Sequence, residues 1–277
     1  MGQHETILCD DSTDIPYSQI KLNHLKRQDR EDFSHILHEY NDAFARHKND
    51  IGLCTLIKHD IEIKNVPMSQ NQRFLPPDKQ SFAQKQVDIL CKNNIVSIDP
   101  QPLCVSNLLL VPKFSSVRDN TKASKMLQDK SKIDSFRLVQ DLRLINKNTL
   151  NIERTNKVCL DDFIRNLNSK IVTTLDILSA YYHIELTDRA KKLTGFYLGN
   201  KTYCWHHMTQ GLVSAAGTLT RLWSKVFSEQ VLQEFKSNLS ENELKIFIFH
   251  SYDEFVQAYF DDYFVFTDTM TQHKIAL

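Results

Sequence analysis

The sequence lacks the features that identify membrane, secreted and disulfide-stabilised proteins. No run approaches the roughly 18 consecutive apolar residues that a membrane-spanning helix needs, and the N-terminus lacks the basic-then-apolar layout of a signal peptide. The six cysteines are scattered, without the paired spacing of a zinc site or a disulfide framework. We therefore expect a cytoplasmic protein with reduced thiols and no membrane partner.

The sequence also has no excess of charge of either sign: its net charge is zero, because 34 basic residues balance 34 acidic ones. The distribution is nevertheless uneven: residues 113–157 contain eleven Lys or Arg and five Asp or Glu, a local excess of six. Such a segment can follow a phosphate backbone. A solvated, lysine-rich loop is the alternative, and we favour it for residues 115–135. With 41% hydrophobic residues, a chain of 277 residues can form one large domain or two smaller ones.

The most informative motif present is an acidic pair inside an aromatic segment. Asp261 and Asp262 interrupt the run from Ala258 to Phe266. The flanking aromatic and β-branched residues predict two short strands, with the acids at a tight hairpin turn. Two adjacent carboxylates repel each other unless a proton or cation lies between them, and hard oxygen ligands favour Mg²⁺. The pair therefore indicates half of a metal site, with a solvated Asp-Asp turn as the alternative.

A third carboxylate ends another predicted strand. Asp176 follows the apolar run from Ile171 to Leu175. Taken singly, an acid in this position is more often a helix N-cap than a metal ligand. If the two segments lie side by side in one sheet, however, three carboxylates converge. Two metal ions bridged by such acids suit in-line displacement at phosphorus.

Periodicity predicts further helices and strands. Helical spacing of apolar residues appears at 27–48, Ala83–Cys91 and Leu219–Val226, and strands are predicted at Ile61–Val66, Val105–Val111, Phe136–Arg143 and Ile171–Ile177. The second and third of these strands would form a hairpin with a long tip at 115–135. The order of elements predicts an α+β fold in which helices back an antiparallel sheet.

These motifs, in this order, resemble the reverse transcriptases of retroviruses and long-terminal-repeat retrotransposons, most closely the gypsy type. The resemblance runs from about residue 25 to residue 277 and is strongest at Leu175–Tyr181, Phe136–Asn146, Gln210-Gly211 and the Tyr259–Asp262 box. It implies the fingers and palm of a right-hand polymerase. It also implies an RNA-directed DNA polymerase, a nucleotidyltransferase that adds deoxynucleotides to a primer 3′-hydroxyl.

The resemblance assigns the acids to the palm. Asp176, Asp261 and Asp262 would be the catalytic carboxylates that bind two Mg²⁺ ions, for which Mn²⁺ can substitute. The backbone carbonyl of Ile177 would be an additional ligand. The ions would activate the primer hydroxyl and neutralise the triphosphate, with Asp262 as the less direct ligand.

It also implies a nucleotide-binding set. Lys113 and Arg137 would grip the triphosphate of the incoming nucleotide, a task suited to a point charge and a planar fork. Tyr181 would place an aromatic ring beneath the sugar and exclude a 2′-hydroxyl, so that the product is DNA. Gln210 and Gly211 would line the nucleotide and template pocket, with Gly211 allowing close backbone approach.

Tyr259 and Phe260 would support the primer end. The implied partners are an RNA or DNA template with its primer and deoxynucleoside triphosphates, and we expect a piece of a longer polyprotein that can reside in a virus-like particle. The expected division is an N-terminal extension with an amphipathic helix at 1–60, fingers at 61–150 and 184–214, and palm at 151–183 and 215–277.

Two departures from the family pattern leave an alternative open. The segments Met208–Gly211 and Ser214–Gly217 replace the usual Pro-Phe-Gly lead and Asn-Ala-Pro, which affects the expected nucleotide positioning. The sequence also stops at Leu277, before a thumb, so we expect weak duplex affinity and short extension. The alternative is a truncated or co-opted relic that binds nucleic acid without polymerising. An RNA-copying polymerase with the same palm is disfavoured by Tyr181.

Overall fold

The computed structural model describes residues 22–47, 49–112, 136–150, 152, 171–259 and 262–277. Across these ranges helices and strands alternate along the chain, and the strands form three separate sheets. The α+β prediction is therefore confirmed. None of the helices in these ranges is both long and apolar enough to cross a membrane.

Helices and strands are numbered in chain order. The α-helices of the described ranges are α1 Arg27–Glu39, α2 Pro77–Lys92, α3 Arg143–Asn148, α4 Asp188–Leu193, α5 Ala215–Val226, α6 Glu229–Ser237, α7 Glu241–Ile246 and α8 Met270–Ala276. Short 3-10 helices cover Asn41–Ala43, Ala180–His183 and Tyr252–Glu254. The strands are β1 Cys54–His59, β2 Val96–Ile98, β3 Val105–Pro112, β4 Phe136–Gln140, β5 Ile171–Asp176, β6 Ile184–Leu186, β7 Gly195–Leu198, β8 Lys201–Trp205, β9 Val256–Tyr259 and β10 Asp262–Thr267.

The first two predicted helices form, with different accuracy at their ends. Helix α2 begins at Pro77, where a missing backbone N–H costs nothing, and it ends before Asn94, whose φ of 56° is left-handed. Helix α1 is shorter than its pattern predicts. It ends at Glu39 because Tyr40 leaves the helical conformation, and a 3-10 turn follows.

The largest sheet has five strands in the order β2-β8-β7-β3-β4. Strands β3 and β4 pair antiparallel from Leu108↔Gln140 to Pro112↔Phe136, which confirms the predicted hairpin, and its tip at 113–135 lies outside the described residues. The strand predicted over Phe136–Arg143 is too long, because Arg143 begins α3. The turn between β4 and α3 is fixed by Asp141, whose carboxylate accepts bonds from the Arg143 side chain.

The prediction of a strand at Ile61–Val66 is wrong. The strand in this part of the chain is β1, which ends before Ile61, pairs in parallel with β6 and buries Ile57 and His59. Asp60 ends it, because its carboxylate accepts hydrogen bonds from the side chains of Thr187 and Arg189. Strand β1 lies in the predicted N-terminal extension, so that segment packs into the body of the protein.

Two hydrophobic cores support the sheets in the described part of the chain. The larger core joins β1, β6, the five-stranded sheet and one face of α2 and α5, and Ile145, Ile184, Leu186, Phe196 and Trp205 are among its most buried members. The smaller core is aromatic and lies near the chain's C-terminal end. It is built from Leu232, Phe247, Phe255, Val256 and Val265. The third sheet, β5-β10-β9, rests on this smaller core.

Candidate active site

Strand β5 delivers Asp176 to the open face of the three-stranded sheet. Its side chains alternate in exposure: Thr173 and Leu175 are half-buried, whereas Thr174 and Asp176 are exposed. This is the period of a strand with one face on a core. Leu175 packs against the smaller core, so Asp176, one residue further, points to the opposite face.

Strand β10 places Asp262 directly opposite Asp176. The two strands are antiparallel, and the register continues through Tyr263↔Leu175 and Phe264↔Thr174. Residues directly opposite in an antiparallel pair share a face, with Cβ atoms about 4.5 to 5.5 Å apart. The sheet therefore presents two carboxylates side by side, one exposed and one half-exposed.

The hairpin that carries the acidic pair is tight. Strand β9 ends at Tyr259, which pairs with Asp262, so residues 260 and 261 join the two strands. Phe260 and Asp261 lie outside the described residues, as does the side chain of Tyr259. Asp262 is the first residue of β10, where it pairs with Tyr259 and Asp176, so the prediction that both acids occupy the turn is wrong for Asp262.

The opposite face of this sheet is anchored by aromatic rings. The ring centroid of Tyr263 lies 5.8 Å from that of Trp223 and 6.3 Å from that of Phe227, both from the α5 segment. Burial raises the pKa of Tyr263. Because Tyr263 follows Asp262 directly, packing of its ring on α5 directs the carboxylate to the open face.

The chain turns sharply after Asp176. Ile177 is half-buried against the larger core, and Ser179 adopts a left-handed φ of 55° before the 3-10 helix that contains Tyr181. Tyr181 is half-buried and packs on the same core. Its neighbour Tyr182 is the anchor of this turn.

The ring of Tyr182 stacks on Trp205 with centroids 5.5 Å apart. Burial raises the pKa of Tyr182 to about 12, so the phenol stays neutral. The backbone carbonyl of Tyr182 also lies 2.6 Å from Nδ1 of His207. These contacts fix the backbone that presents Tyr181.

Gln210 and Gly211 form an exposed loop before α5. Gly211 has a φ of 96°, which side-chain-bearing residues rarely adopt, although a Cβ there would meet no atom closer than 3.8 Å. Asn146 of α3 holds this loop from across the fold. Its Nδ2 donates to the Gly211 carbonyl at 2.7 Å, and its Oδ1 accepts from the backbone N–H of Val213 at 3.0 Å.

The fingers-type pair Lys113 and Arg137 is only half described. Arg137 is exposed on β4 and stands opposite Val111 of β3. Lys113 follows the last residue of β3 and lies outside the described residues. The side chain of Arg137 leaves the sheet on the same face as Val139, two residues further along the strand.

Sequence reasoning did not find the polar hub around Asn107. This buried amide on β3 donates to the side chain of Gln70 and to the carbonyl of Asn71, and its oxygen accepts from the backbone N–H of Arg73. Gln70 in turn donates to the carbonyl of Asp141. The hub thereby holds the extended segment at 70–73 beside α3. The sequence signal for it was a single asparagine within a strand predicted to be buried, because a buried amide needs hydrogen-bond partners.

The hub and α3 border an open cleft of about 480 Å³. Arg73, Arg143 and Lys147 line it, together with Asp141. Hydrogen bonds from Arg143 lower the pKa of Asp141 to about 2, so this acid stays charged and neutralises part of the local positive charge.

In the described residues no three His, Cys, Asp or Glu side chains cluster as a metal site. The described part of the carboxylate site consists of Asp176 and Asp262, and its third predicted member, Asp261, is outside those ranges. A pair of carboxylates directly opposite each other on an exposed sheet face fits a divalent cation with hard oxygen ligands.

Comparison with known proteins identifies relatives of this chain. It is 30% identical over 213 residues to the "Retrovirus-related Pol polyprotein from transposon 412" of Drosophila melanogaster, covering 76% of this chain and 16% of that protein. It is 24% identical over 230 residues to "Polyprotein P3" of Commelina yellow mottle virus, covering 82% of this chain and 10% of that protein. The chain thus spans less than a fifth of these relatives.

Solved structures with the same fold include foamy virus proteins. The native "Prototype Foamy Virus Protease-Reverse Transcriptase" matches with a TM-score of 0.65 and 20% identity over 90% of this chain and 28% of that chain. The foamy viral protein solved with RNA/DNA hybrid matches with a TM-score of 0.63 and 16% identity, again over 90% and 28%. These likenesses confirm the polymerase fold predicted from the sequence.

The family described as "Reverse transcriptase (RNA-dependent DNA polymerase)" matches residues 122–277, more than half of the chain. This segment contains β5, β10 and the Gln210-Gly211 loop. The resemblance seen in the sequence motifs is thereby confirmed, and the chain belongs to the reverse transcriptase family.

Proposed function

We propose that this chain is the RNA-directed DNA polymerase core of a retrotransposon, adding deoxynucleotides to a primer 3′-hydroxyl. The observation that carries the proposal is the register of the three-stranded sheet, in which Asp176 stands directly opposite Asp262 on an exposed face. Like charges directly opposite each other destabilise a strand pair. A function that uses both charges explains why they occur there.

The two carboxylates are suited to divalent metal ions, which reverse transcriptases use. Asp176, Asp261 and Asp262 would hold two Mg²⁺ or Mn²⁺ ions, with the main-chain carbonyl of Ile177 as a further ligand. Bound there, the ions would lower the pKa of the primer hydroxyl and stabilise negative charge on the triphosphate. Leu175 and Tyr263 pack on the aromatic core behind the sheet and keep Asp176 and Asp262 on its open face.

Residues from other parts of the fold would bind the nucleotide. Arg137, with Lys113, would contact the triphosphate, since a guanidinium can bind phosphate oxygens through two parallel hydrogen bonds. Tyr181, presented by the anchored 3-10 turn, would exclude a 2′-hydroxyl. Gln210 and Gly211 would border the base pair, held by Asn146.

The remaining assignments complete the proposal. Tyr259 and Phe260 would support the primer end on an RNA or DNA template. Foamy viral proteins with this fold were solved in complex with double-stranded DNA and with RNA/DNA hybrid, which supports a template and primer as partners. We assign the palm to 151–183 and 215–277, the fingers to 61–150 and 184–214, and an N-terminal extension to 1–60. The chain would act as part of a longer polyprotein in the cytoplasm or in a virus-like particle.

A primer-extension assay tests this function. The chain is incubated with a labelled primer on an RNA or a DNA template, deoxynucleotides, and Mg²⁺ or Mn²⁺, both alone and fused to a duplex-binding domain that compensates for weak affinity. We expect extension by the parent and none by Asp262→Asn. Absence of extension by the fused parent with either metal ion would overturn the proposal.

A second candidate is a co-opted nucleic-acid-binding domain without polymerase activity. The specific observation that favours it is the altered sequence at Met208–Gly211 and Ser214–Gly217, which includes the Gln210-Gly211 loop expected to position the nucleotide. In that case primer and template bind, with a salt-dependent affinity, and the Asp262→Asn variant binds as tightly as the parent. Extension that requires Asp262 contradicts this candidate.

A further inference from the structure

His273 on helix α8 is a buried polar residue that the proposed reaction does not use. Its side chain is fully buried. Its Nε2 lies 2.7 Å from the hydroxyl of Thr173 on β5, and its Nδ1 lies 2.9 Å from the hydroxyl of Thr267 on β10. A single imidazole therefore bridges the two strands that carry Asp176 and Asp262.

The hydrogen-bond pattern fixes the direction of these contacts. The hydroxyl of Thr267 donates to the carbonyl of Thr269 at 3.2 Å, so it accepts a bond from Nδ1–H of His273. A neutral ring then accepts at Nε2 from the hydroxyl of Thr173. Burial favours the neutral form by lowering the pKa of His273 to about 4. Both ring nitrogens are thus satisfied by side chains of the sheet.

The bridge lies at the end of the strand pair remote from the acids. Thr173 precedes Asp176 by three residues, and Thr267 follows Asp262 by five residues. At about 3.4 Å per residue, the bond to Thr267 is roughly 17 Å along β10 from Asp262. A slip of one residue between β5 and β10 would move Asp262 to the face opposite Asp176. Tying both strands to one rigid ring opposes such a slip.

The next residue on α8 faces a different element. Lys274 donates to Asp29 at 2.7 Å and also to Asp32, both on α1, and thereby attaches the N-terminal helix. Phe33 of α1 packs near the ring of His273, with centroids 6.2 Å apart. Lys274 therefore contributes to the same helix packing without contacting β5 or β10 through an observed bond, which makes it a matched control.

We propose that His273 is a positioning residue of the carboxylate site, holding β5 and β10 in the register that sets Asp176 opposite Asp262. The ring acts through the two threonine hydroxyls and makes no contact with the carboxylates. The consequence for metal ions rests on the proposed function, whereas the consequence for the strand pair does not.

Three variants test the inference: His273→Leu removes both bonds, His273→Gln keeps one donor and one acceptor, and Lys274→Met detaches α1. Hydrogen exchange followed by mass spectrometry reports on the backbone amides of β5 and β10, and urea denaturation reports global stability. We expect His273→Leu to accelerate exchange in both strands by roughly tenfold or more, from the loss of two hydrogen bonds of about 1 kcal/mol each. His273→Gln should lie between parent and His273→Leu, and Lys274→Met should change exchange mainly in α1.

Manganese binding, measured by electron paramagnetic resonance, adds the link to the site. We expect several-fold weaker Mn²⁺ binding by His273→Leu and unchanged binding by Lys274→Met. Equal exchange in β5 and β10 for His273→Leu and Lys274→Met at similar global stability would overturn the positioning role. If the parent binds no more Mn²⁺ than Asp262→Asn does, the proposed function fails. The exchange comparison still decides the role of His273 in that case.

Discussion

Asn146 is expected to control the Gln210-Gly211 loop from a distant part of the sequence. Both polar atoms of its carboxamide are used, one on the Gly211 carbonyl and the other on the Val213 N–H. Replacement by alanine removes both hydrogen bonds and leaves two backbone groups to water. At about 0.5 to 1.5 kcal/mol for each bond, we expect Asn146→Ala to lower the free energy of unfolding by about 1 to 3 kcal/mol, toward the lower end because the site is partly exposed.

The loop should respond more strongly than the protein as a whole. Gly211 adopts a φ of 96°, and the carboxamide is what ties this conformation to α3. Hydrogen exchange at residues 210–213 should therefore rise by a larger factor in Asn146→Ala than exchange in β7 or β8. In the primer-extension assay, the same variant should raise KM for the nucleotide more than it lowers kcat, because loop order affects binding of the base pair.

Asn148 supplies the matched control. It lies on the same helix, and its Nδ2 donates to the Leu144 carbonyl within that helix at 2.9 Å, without reaching the loop. Asn148→Ala should leave exchange at residues 210–213 and the nucleotide KM unchanged. The reasoning is refuted if the two alanine variants are alike in urea denaturation and in loop exchange.

Three further outcomes follow from the site. Asp262→Asn should raise stability in metal-free buffer by about 0.2 to 1 kcal/mol, because it removes a like charge directly opposite Asp176; urea denaturation with chelator checks this, and a lower stability contradicts it. Tyr181→Ala should admit ribonucleotides into primer extension, and unchanged discrimination argues against the sugar gate. Burial lowers the pKa of His59 and of His273 to about 4, below the 6.5 of an unfolded histidine. The unfolded state therefore binds more protons, and stability should fall as pH drops from about 6.5 to 4, by up to a few kcal/mol; urea midpoints in the parent and in His59→Gln test it, with a smaller fall in the variant.

The strands that carry Asp176 and Asp262 were predictable from their apolar, aromatic and β-branched residues. The alternation around Asp176 and the aromatic segment before Asp262 reflect one face on the small core and one face open. The sequence predicted that Asp176 and Asp262 approach each other only on the condition that both segments lie in one sheet, and the structure shows them directly paired. The prediction of a strand at Ile61–Val66 was wrong, although Ile61 itself is buried. Strand β1 ends at His59, so Ile61 packs on the core after the strand pairing has stopped.

Helices α6 and α7 were not predicted, although one of them had a readable signal. Ser240 and Glu243 form a capping box, in which the serine hydroxyl accepts from the Glu243 N–H and the glutamate accepts from the Ser240 N–H. The contacts of Asn146, Asn107 and His273 had no comparable local signal. Apart from the bond between His273 and Thr267, these contacts join residues at least 30 positions apart, so a sequence pattern shows the polar residue but not its partner.

Helix α5 links the two halves of the proposed site. Leu219 and Leu222 are buried in the larger core, which also supports Tyr181, whereas the next residue, Trp223, packs on Tyr263 of the carboxylate sheet. The Gly211 loop leads directly into this helix through Ser214. A single rigid helix thus fixes the distance between the proposed nucleotide-binding residues and the carboxylates, even though the two groups rest on separate cores. Substitutions that bend or twist α5 would move Trp223 relative to Leu219 and Leu222. We expect them to impair catalysis more than their effect on stability suggests.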